Sequence, residues 1–154
     1  MPKIKILRAQ DLVDAGRLSA DVLAEVIQAK PDCLLGLATG STPLPLYRDL
    51  IRRYAQGALD FSKVRTVNLD EYVGLSGDHP QSYRYFMNEN LFQHINIDLQ
   101  NTCVPDGMNA DLDVVCKEYE TRIDAWGGID LQVLGIGLNG HIGFNEPATI
   151  FSGR

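Results

Sequence analysis

The feature that most constrains the fold is an alternation of short apolar runs with longer segments whose apolar residues recur at helical spacing. The runs at residues 33–37, 64–69 and 131–136 are typical of strands buried on both faces of a sheet. Strands separated by helices pair in parallel. The alternation therefore predicts an α/β fold, a Rossmann-like, doubly wound, mostly parallel sheet with helices on both faces. No repeat or linker divides residues 1–154, so we expect a single domain.

The same patterns predict the remaining elements. Residues 3–7 alternate lysine with apolar side chains, which favours a first short strand, and residues 102–104 favour another. Asp11 is the expected N-cap of the first helix. The start, stop and spacing signals predict helices within residues 11–31, 43–57, 81–94 and 112–127, with Pro43 at the first position of the second.

Composition limits the classes of function. Fourteen Lys and Arg against 20 Asp and Glu give a formal net charge of −6. This balance argues against a nucleic-acid surface, because phosphate backbones are bound by basic stripes. No apolar run approaches the roughly 20 residues of a membrane span, and the N-terminus lacks the continuous apolar stretch of a signal peptide. Three cysteines without CxxC spacing indicate free thiols in a reducing cytoplasm.

Polar segments follow three of the predicted strands, where open α/β sheets bind ligands. The first is Thr39-Gly40-Ser41-Thr42, directly before a helix. Backbone N–H groups at a helix N-terminus, with hydroxyls beside them and a glycine that allows close approach, suit a phosphate group. The alternative is that Thr42 only caps the helix. A Walker A loop is excluded because no Gly-Lys-Ser/Thr follows.

The second segment places two adjacent carboxylates, Asp70 and Glu71, just after the strand predicted over 64–69. Successive side chains of an extended chain diverge, so we expect only one of them to face a cleft, as a candidate general base. The spacing does not choose between the two residues. The alternative is a pair of solvated loop acids.

The third segment contains His141 in a glycine-rich loop. Residues 135–140 match GxGxxG, which allows a dinucleotide interpretation, but Gly143 and Pro147 prevent the helix that this motif requires directly after it. His141 does not lie on an apolar helix or strand face. This position favours a functional histidine, with a structural one as the alternative. No second histidine stands at ligand spacing, so we expect no metal site.

The sequence resembles the glucosamine-6-phosphate deaminase family in four blocks: LGLATGSTP at 35–43, VNLDEYVGL at 67–75, HPQSYRYFMNENLF at 79–92 and GIGLNGHIGFNEP at 135–147. A related sugar lactonase family shares the strand and loop plan and a Gly-His pair. The DEYVGL and GFNEP stretches, however, are similar to the deaminases. The resemblance implies hydrolytic conversion of glucosamine 6-phosphate to fructose 6-phosphate and ammonia in amino sugar catabolism, without metal or organic cofactor.

The resemblance also implies roles for individual residues. Asp70 matches the base that moves a proton between C2 and C1, and His141 matches the group that opens the sugar ring. Asn139 and Glu146 match the positions that flank and orient this histidine. Enolisation requires a carboxylate about 3 Å from the C2 proton. Ring opening suits imidazole, whose ordinary pKa of about 6.5 allows proton transfer in both directions near neutral pH.

Asn139 is a departure from the pattern, because many relatives carry Asp at this position. An amide stabilises a protonated imidazole less than a carboxylate does. We therefore predict that Glu146 provides the dominant electrostatic support for His141.

The segment from 39 to 42 matches the loop that holds the sugar phosphate in the family. Later basic residues that also clamp the phosphate there have no counterpart here. We therefore expect a domain incomplete at its C-terminus, and a chain that is weakly active or inactive by itself although its full-length parent is a deaminase. The alternatives are a related phosphosugar isomerase or lactonase, and a non-catalytic phosphosugar-binding module. The expected partner is a small sugar phosphate. A homo-oligomer is compatible with the resemblance, since relatives include monomers and symmetric assemblies.

Overall fold

The computed structural model describes residues 4–143 and 145–147, and a four-stranded sheet forms their centre. Its strands are β1 (Leu34–Leu37), β2 (Arg65–Asn68), β3 (Thr102–Cys103) and β4 (Leu131–Gln132). They lie in the order β3-β2-β1-β4, and each neighbouring pair is parallel. The chain builds outward from β1 to β3 and then returns to the other side of β1. This reversal is a topological switch point, where such sheets bind ligands.

Helices and 3-10 turns connect these strands. They are α1 (Leu12–Ala29), α2 (Leu44–Ala55), α3 (Tyr83–Asn90), α4 (Leu112–Ala125) and the 3-10 turns Phe92–His94 and Leu99–Asn101. The side chains of Asp11, Ser82 and Asp111 each accept a hydrogen bond from the backbone N–H three residues later. These caps satisfy donors that a helix leaves free in its first turn, which explains where α1, α3 and α4 begin. The predicted N-cap at Asp11 is confirmed.

Two cores cover the two faces of the sheet. Side chains of β1 alternate between them, as the period of a strand requires: Leu35 and Leu37 enter one core, and Leu34 enters the other. The larger core includes residues of α1, α2 and α3, and α4 packs on the smaller one. The predicted doubly wound, parallel α/β fold with helices on both faces is therefore confirmed.

In the first half of the chain, the structure differs from two predictions: the strand over residues 3–7 and the position of Pro43 in the second helix. Residues 4–7 of the strand predicted over 3–7 have no regular structure, and Ile4 and Ile6 are 90 % and 87 % exposed; Lys3 lies outside the described residues. An alternation of lysine and apolar residues does not by itself provide a neighbouring strand with which the segment could pair. Pro43 is the N-cap of α2 rather than its first residue.

The helix predicted over 81–94 is shorter than expected. α3 ends at Asn90, because Leu91 adopts φ −146° and ψ −60°, outside the helical region. A 3-10 turn at Phe92–His94 then continues the chain. Apolar spacing persists through such a turn, so the sequence pattern does not locate the break.

The buried strand predicted over 131–136 is wrong beyond Gln132. Leu131 and Gln132 pair with β1 and are half-buried, whereas Ile136 is 76 % exposed. Asp130 anchors this strand: its carboxylate accepts hydrogen bonds from the Leu34 N–H at 2.8 Å and the Lys30 ammonium at 2.9 Å. Both contacts, led by the one with Lys30, lower the pKa of Asp130.

Candidate active site

The carboxyl ends of β1, β2 and β4 open into one cleft of about 320 Å³ at the switch point. Its size is that of a small-molecule site. Thr39 and Thr42 line it from the loop after β1, Asp70 from the loop after β2, and His141 from the loop after β4. Four of the eight site residues predicted from the sequence therefore meet in one cavity.

The remaining four predicted residues lie around this cleft. Gly40 borders a neighbouring groove that shares Tyr83 with the cleft. Asn139 and Glu146 stand behind His141, and Ser41 is exposed on the loop surface. The four belong to the same loops as the cleft residues, but none of them lines the cavity.

The loop after β1 presents free hydrogen-bond donors. Gly40 has φ +97°, a left-handed conformation that glycine adopts at little cost. Within residues 4–143 and 145–147, the backbone N–H groups of Gly40, Ser41 and Thr42 donate to no protein acceptor. α2 begins with Pro43 as N-cap and has no side-chain cap, so the alternative that Thr42 caps the helix is wrong. Free donors at the positive end of a helix are what an anion requires.

Asp70 is the carboxylate that lines the cleft. It is half-buried, and in the described part of the chain no group donates a hydrogen bond to it. Burial raises the pKa of this carboxyl, and the nearby Glu71 carboxylate raises it further. A carboxylate that is desolvated and unbonded is a stronger base than one in water, which suits proton abstraction.

Glu71 turns away from the cleft and binds backbone. Its Oε1 accepts hydrogen bonds from the N–H groups of Tyr72 and Tyr83, both at 2.8 Å, and its Oε2 accepts one from Arg84 at 2.9 Å. The carboxylate thus satisfies donors in the first turn of α3. The sequence leaves the choice between Asp70 and Glu71 open, and the structure places only Asp70 at the cavity.

The histidine loop contains a relay of side chains. Nδ1 of His141 lies 2.6 Å from Oδ1 of Asn139, and Nδ2 of Asn139 donates to Oε2 of Glu146 at 2.6 Å. An amide oxygen only accepts hydrogen bonds, so Nδ1 carries the proton, and the neutral ring offers Nε2 as an acceptor. The described contacts join Glu146 to the ring only through Asn139.

Gly137 supports the histidine ring from the other side. A Cβ at this position would lie 2.2 Å from Cε1 of His141, so only glycine fits beneath the ring. The Gly137 N–H donates to the His141 carbonyl at 2.8 Å and closes the loop. No helix follows in residues 141–143 and 145–147. The GxGxxG match therefore packs a histidine and lacks the helix that a dinucleotide site requires.

Tyr83 is a cleft residue that the sequence analysis does not single out. Its ring lines the cavity, its hydroxyl lies 3.1 Å from that of Tyr72, and it approaches the side chain of Thr39. The available signal was its place in the block at 79–92, directly after Ser82. Because Tyr83 follows the N-cap Ser82, it lies at the N-terminal end of α3, and this end of the helix meets the cleft.

Three further properties of the described residues concern cationic side chains at the cleft, metal-ligating groups and membrane-spanning helices. The residues lining the cleft include no lysine or arginine in the described part of the chain. No group of three or more His, Cys, Asp or Glu among those residues is arranged to hold a metal ion. In the same ranges, every helix is too short or too polar to cross a membrane.

A parallel sheet with a cleft at its switch point defines a class of α/β proteins that bind ligands at the carboxyl ends of their strands. Within this class, the family described as Glucosamine-6-phosphate isomerases/6-phosphogluconolactonase matches residues 9–150. The chain belongs to this family, as the four sequence blocks indicate.

Similar curated proteins carry the name of one branch of the family. The chain is 54 % identical over 149 residues to the glucosamine-6-phosphate deaminase of Clostridium perfringens, covering 97 % of this chain and 62 % of that protein. It is 56 % identical over 151 residues to glucosamine-6-phosphate deaminase 2 of Bacillus subtilis, covering 98 % of this chain and 61 % of that protein. The chain thus spans about three fifths of the length of these relatives.

Solved structures show the same fold. A structure described as a monomeric glucosamine-6-phosphate deaminase matches with a TM-score of 0.93 and 46 % identity, over 98 % of this chain and 63 % of that one. The 6-phosphogluconolactonase of Thermotoga maritima matches with a TM-score of 0.73 and 25 % identity, over 96 % of this chain and 63 % of that one. The likeness to the deaminase is thus greater in both sequence and shape.

Proposed function

We propose that this chain carries the catalytic cleft of a glucosamine-6-phosphate deaminase, which converts glucosamine 6-phosphate and water to fructose 6-phosphate and ammonia. The observation that carries the proposal is that Asp70 and His141, from separate strands, line one cavity with the loop after β1. The 54 % and 56 % identity to relatives named as deaminases supports this reaction over that of the lactonases.

The sugar phosphate binds at the loop after β1 in this proposal. The N–H groups of Gly40 to Thr42 and the Thr42 hydroxyl supply neutral donors, and the N-terminal end of α2 supplies a partial positive charge. The described cleft lining adds no cationic side chain. We therefore expect this chain by itself to hold the phosphate weakly and to turn over slowly.

Ring opening is assigned to His141. The relay holds a proton on Nδ1, so Nε2 is free to accept the proton of the anomeric hydroxyl and then to return it to the ring oxygen. Glu146 orients the Asn139 amide, and Asn139 orients the imidazole. The product of this step is the open-chain aldehyde.

Proton transfer between C2 and C1 is assigned to Asp70. Its carboxylate removes the C2 proton and returns it to C1, while one amino proton passes to the C1 oxygen, so that C1 becomes a hydroxymethyl group and the nitrogen on C2 becomes an imine. Water then adds to C2, and the C–N bond breaks to release ammonia and leave the C2 ketone. The raised pKa of Asp70 brings the base closer to neutral pH, where proton transfer by a carboxylate is more efficient.

The test measures ammonia and fructose 6-phosphate together, with glucosamine 6-phosphate as substrate. Equal amounts of both products support the proposal. A lactonase or an isomerase releases no ammonia, and a binding module also fails to move solvent deuterium into C1 of fructose 6-phosphate. Robust ammonia release from purified residues 1–154 would instead contradict the expected weak activity of this chain.

A cytoplasmic location belongs to the same proposal. The three cysteines, Cys33, Cys103 and Cys116, are free thiols, as in a reducing compartment. Cell fractionation tests this location. The homo-oligomer stays a prediction that sedimentation of the chain checks, and a similar solved deaminase is described as monomeric.

A further inference from the structure

The loop after β2 is fixed by a carboxylate that no step of the proposed reaction uses. Glu71 accepts three backbone hydrogen bonds, from Tyr72, Tyr83 and Arg84. The first donor belongs to its own loop, and the other two belong to the first turn of α3. A single side chain therefore joins the loop that bears Asp70 to the helix that bounds the cleft.

The two tyrosines held by this carboxylate form a pair. The ring centroids of Tyr72 and Tyr83 are 4.8 Å apart, and their hydroxyls are 3.1 Å apart. Tyr83 lines the same cavity as Asp70 and approaches Thr39 of the neighbouring loop. The ring of Tyr83 therefore lies between the loop after β1 and the loop after β2. The hydrogen bond from the Tyr83 backbone N–H to Glu71 fixes its position.

Two further contacts hold α3 independently of Glu71, one to β3 and one within its own first turn. The Arg84 guanidinium donates to the Thr102 hydroxyl at 2.7 Å and to the Thr102 carbonyl at 3.0 Å, which ties the helix to β3. The Ser82 hydroxyl caps the helix through the Tyr85 N–H. Loss of the Glu71 carboxylate is therefore expected to loosen the first turn of α3 without detaching the helix.

We infer that Glu71 is a positioning residue: its carboxylate fixes the first turn of α3, so that Tyr83 closes one side of the cleft beside Asp70. The geometry stands on the described contacts, and the catalytic consequence rests on the proposed function. Without this carboxylate, the ring leaves its place and water reaches Asp70.

The experiment compares Glu71→Gln with Glu71→Asp in the isotopically labelled chain. Glu71→Gln keeps the length of the side chain but removes its charge. Glu71→Asp keeps the charge, but its side chain is one methylene shorter and does not reach the α3 backbone. Positioning predicts that amide hydrogen exchange at Tyr83 and Arg84 accelerates at least about tenfold in both variants, since a hydrogen bond to a charged group contributes this much. It also predicts that the pKa of Asp70, followed through its carboxyl carbon, falls in both.

A purely electrostatic role gives a different result. Glu71→Gln then lowers the pKa of Asp70, but Glu71→Asp leaves both this pKa and the two amides unchanged, which would overturn the inference. Asp111→Ala is the matched control, because it removes a carboxylate cap from α4, outside the cleft. It should accelerate exchange at Val114 and leave Tyr83 and Asp70 as they are.

The catalytic consequence is measured separately. Solvent-deuterium exchange into C1 of fructose 6-phosphate should fall about tenfold in both Glu71 variants and stay within twofold in Asp111→Ala. If the unchanged chain shows no exchange, the slow turnover proposed for this chain by itself is contradicted, while the amide and carboxyl measurements still decide the positioning role.

Discussion

The loop after β2 and the loop after β4, which contain the proposed catalytic residues, are held in place by different kinds of contact. The loop after β2 is tied to distant parts of the chain: Glu71 reaches α3, and the Gly74 N–H donates to the Gly107 carbonyl at 2.8 Å. The loop after β4 is held mainly by bonds within itself, from Gly137 to His141 and from Asn139 to Glu146. Asp70 is half-buried, whereas Asn139 and Glu146 are exposed.

This difference implies that the loop after β2 depends on the rest of the fold, whereas the loop after β4 is ordered by its own contacts. The proposed base, Asp70, has its pKa raised mainly by burial, and burial requires packed neighbours, so its loop is tied to the rest of the fold. The histidine requires only a defined tautomer and direction, which a few local bonds supply. Substitutions in the first loop should therefore alter both stability and turnover, and substitutions in the second should alter turnover alone.

The largest expected effect is that of Asp70→Asn. Removing a general base should slow deuterium exchange into C1 of fructose 6-phosphate by about 10²- to 10⁴-fold. The same substitution should increase the stability of the folded chain near neutral pH. Burial raises the pKa of Asp70 in the folded chain, so this carboxyl stabilises the fold while protonated, and that contribution is lost as pH rises through the folded-state pKa. Asparagine carries no charge and removes this loss.

Urea unfolding at several pH values checks the second half of this prediction. The gain in unfolding free energy of Asp70→Asn should grow as pH rises from about 4, the ordinary carboxyl pKa, toward 7. Asp78→Asn, at an exposed turn position, is the control and should change neither stability nor exchange. A destabilised Asp70→Asn at pH 7 would show that the carboxylate is favourably solvated.

Two glycine substitutions compare the loops directly. Gly137→Ala places a Cβ 2.2 Å from the His141 ring, so the ring must move and turnover should fall about 10²-fold with little change in melting temperature. Gly107→Ala places a Cβ 2.1 Å from the Tyr72 carbonyl oxygen, so backbone must shift and stability should fall by about 1–3 kcal/mol as well. Equal melting temperatures for the two variants would erase the distinction between the loops.

The relay in the histidine loop gives a smaller effect. Glu146→Gln removes a charge, and Asn139→Ala removes the group that bonds to the ring, so each should lower turnover about tenfold. Because Glu146 acts through Asn139, the double variant should be no slower than Asn139→Ala alone. Independent effects that multiply to about a hundredfold would show that Glu146 supports the ring directly, as the sequence-based prediction has it.

The smallest effect is expected in the loop after β1. Thr42→Val keeps the shape but removes a hydroxyl at the cleft, which should weaken binding of fructose 6-phosphate about fivefold, since one exposed hydrogen bond contributes about 1 kcal/mol. Ser41→Ala removes a hydroxyl outside the cavity and should change affinity less than twofold. Amide chemical shifts in a ligand titration measure both, and a larger loss for Ser41→Ala would contradict the loop geometry.

Local patterns in the sequence predict most of the fold. The cap at Asp11, the compact run of β1 and the order of strands and helices depend on neighbours along the chain, and they are confirmed. Patterns fail where an element depends on a distant partner. Residues 4–7 alternate but pair with no strand in the described part of the chain, and β4 is limited to the two residues that pair with β1.

The site follows the same rule. His141 and Asn139 are two residues apart, so their loop carries its own signature. Glu71 and Tyr83 are twelve residues apart and meet only because α3 packs against the loop after β2. Spacing alone therefore leaves the choice between Asp70 and Glu71 open and gives no reason to select Tyr83.

The bond between the Leu34 N–H and the Asp130 carboxylate spans 96 residues. In a nascent chain leaving the ribosome, the loop after β1 and Asp70 thus emerge long before β4 and His141. The cleft has its complete lining only when this last described strand docks. A ligand that binds only the docked state therefore stabilises that state, since mass action shifts the chain toward the form that binds it.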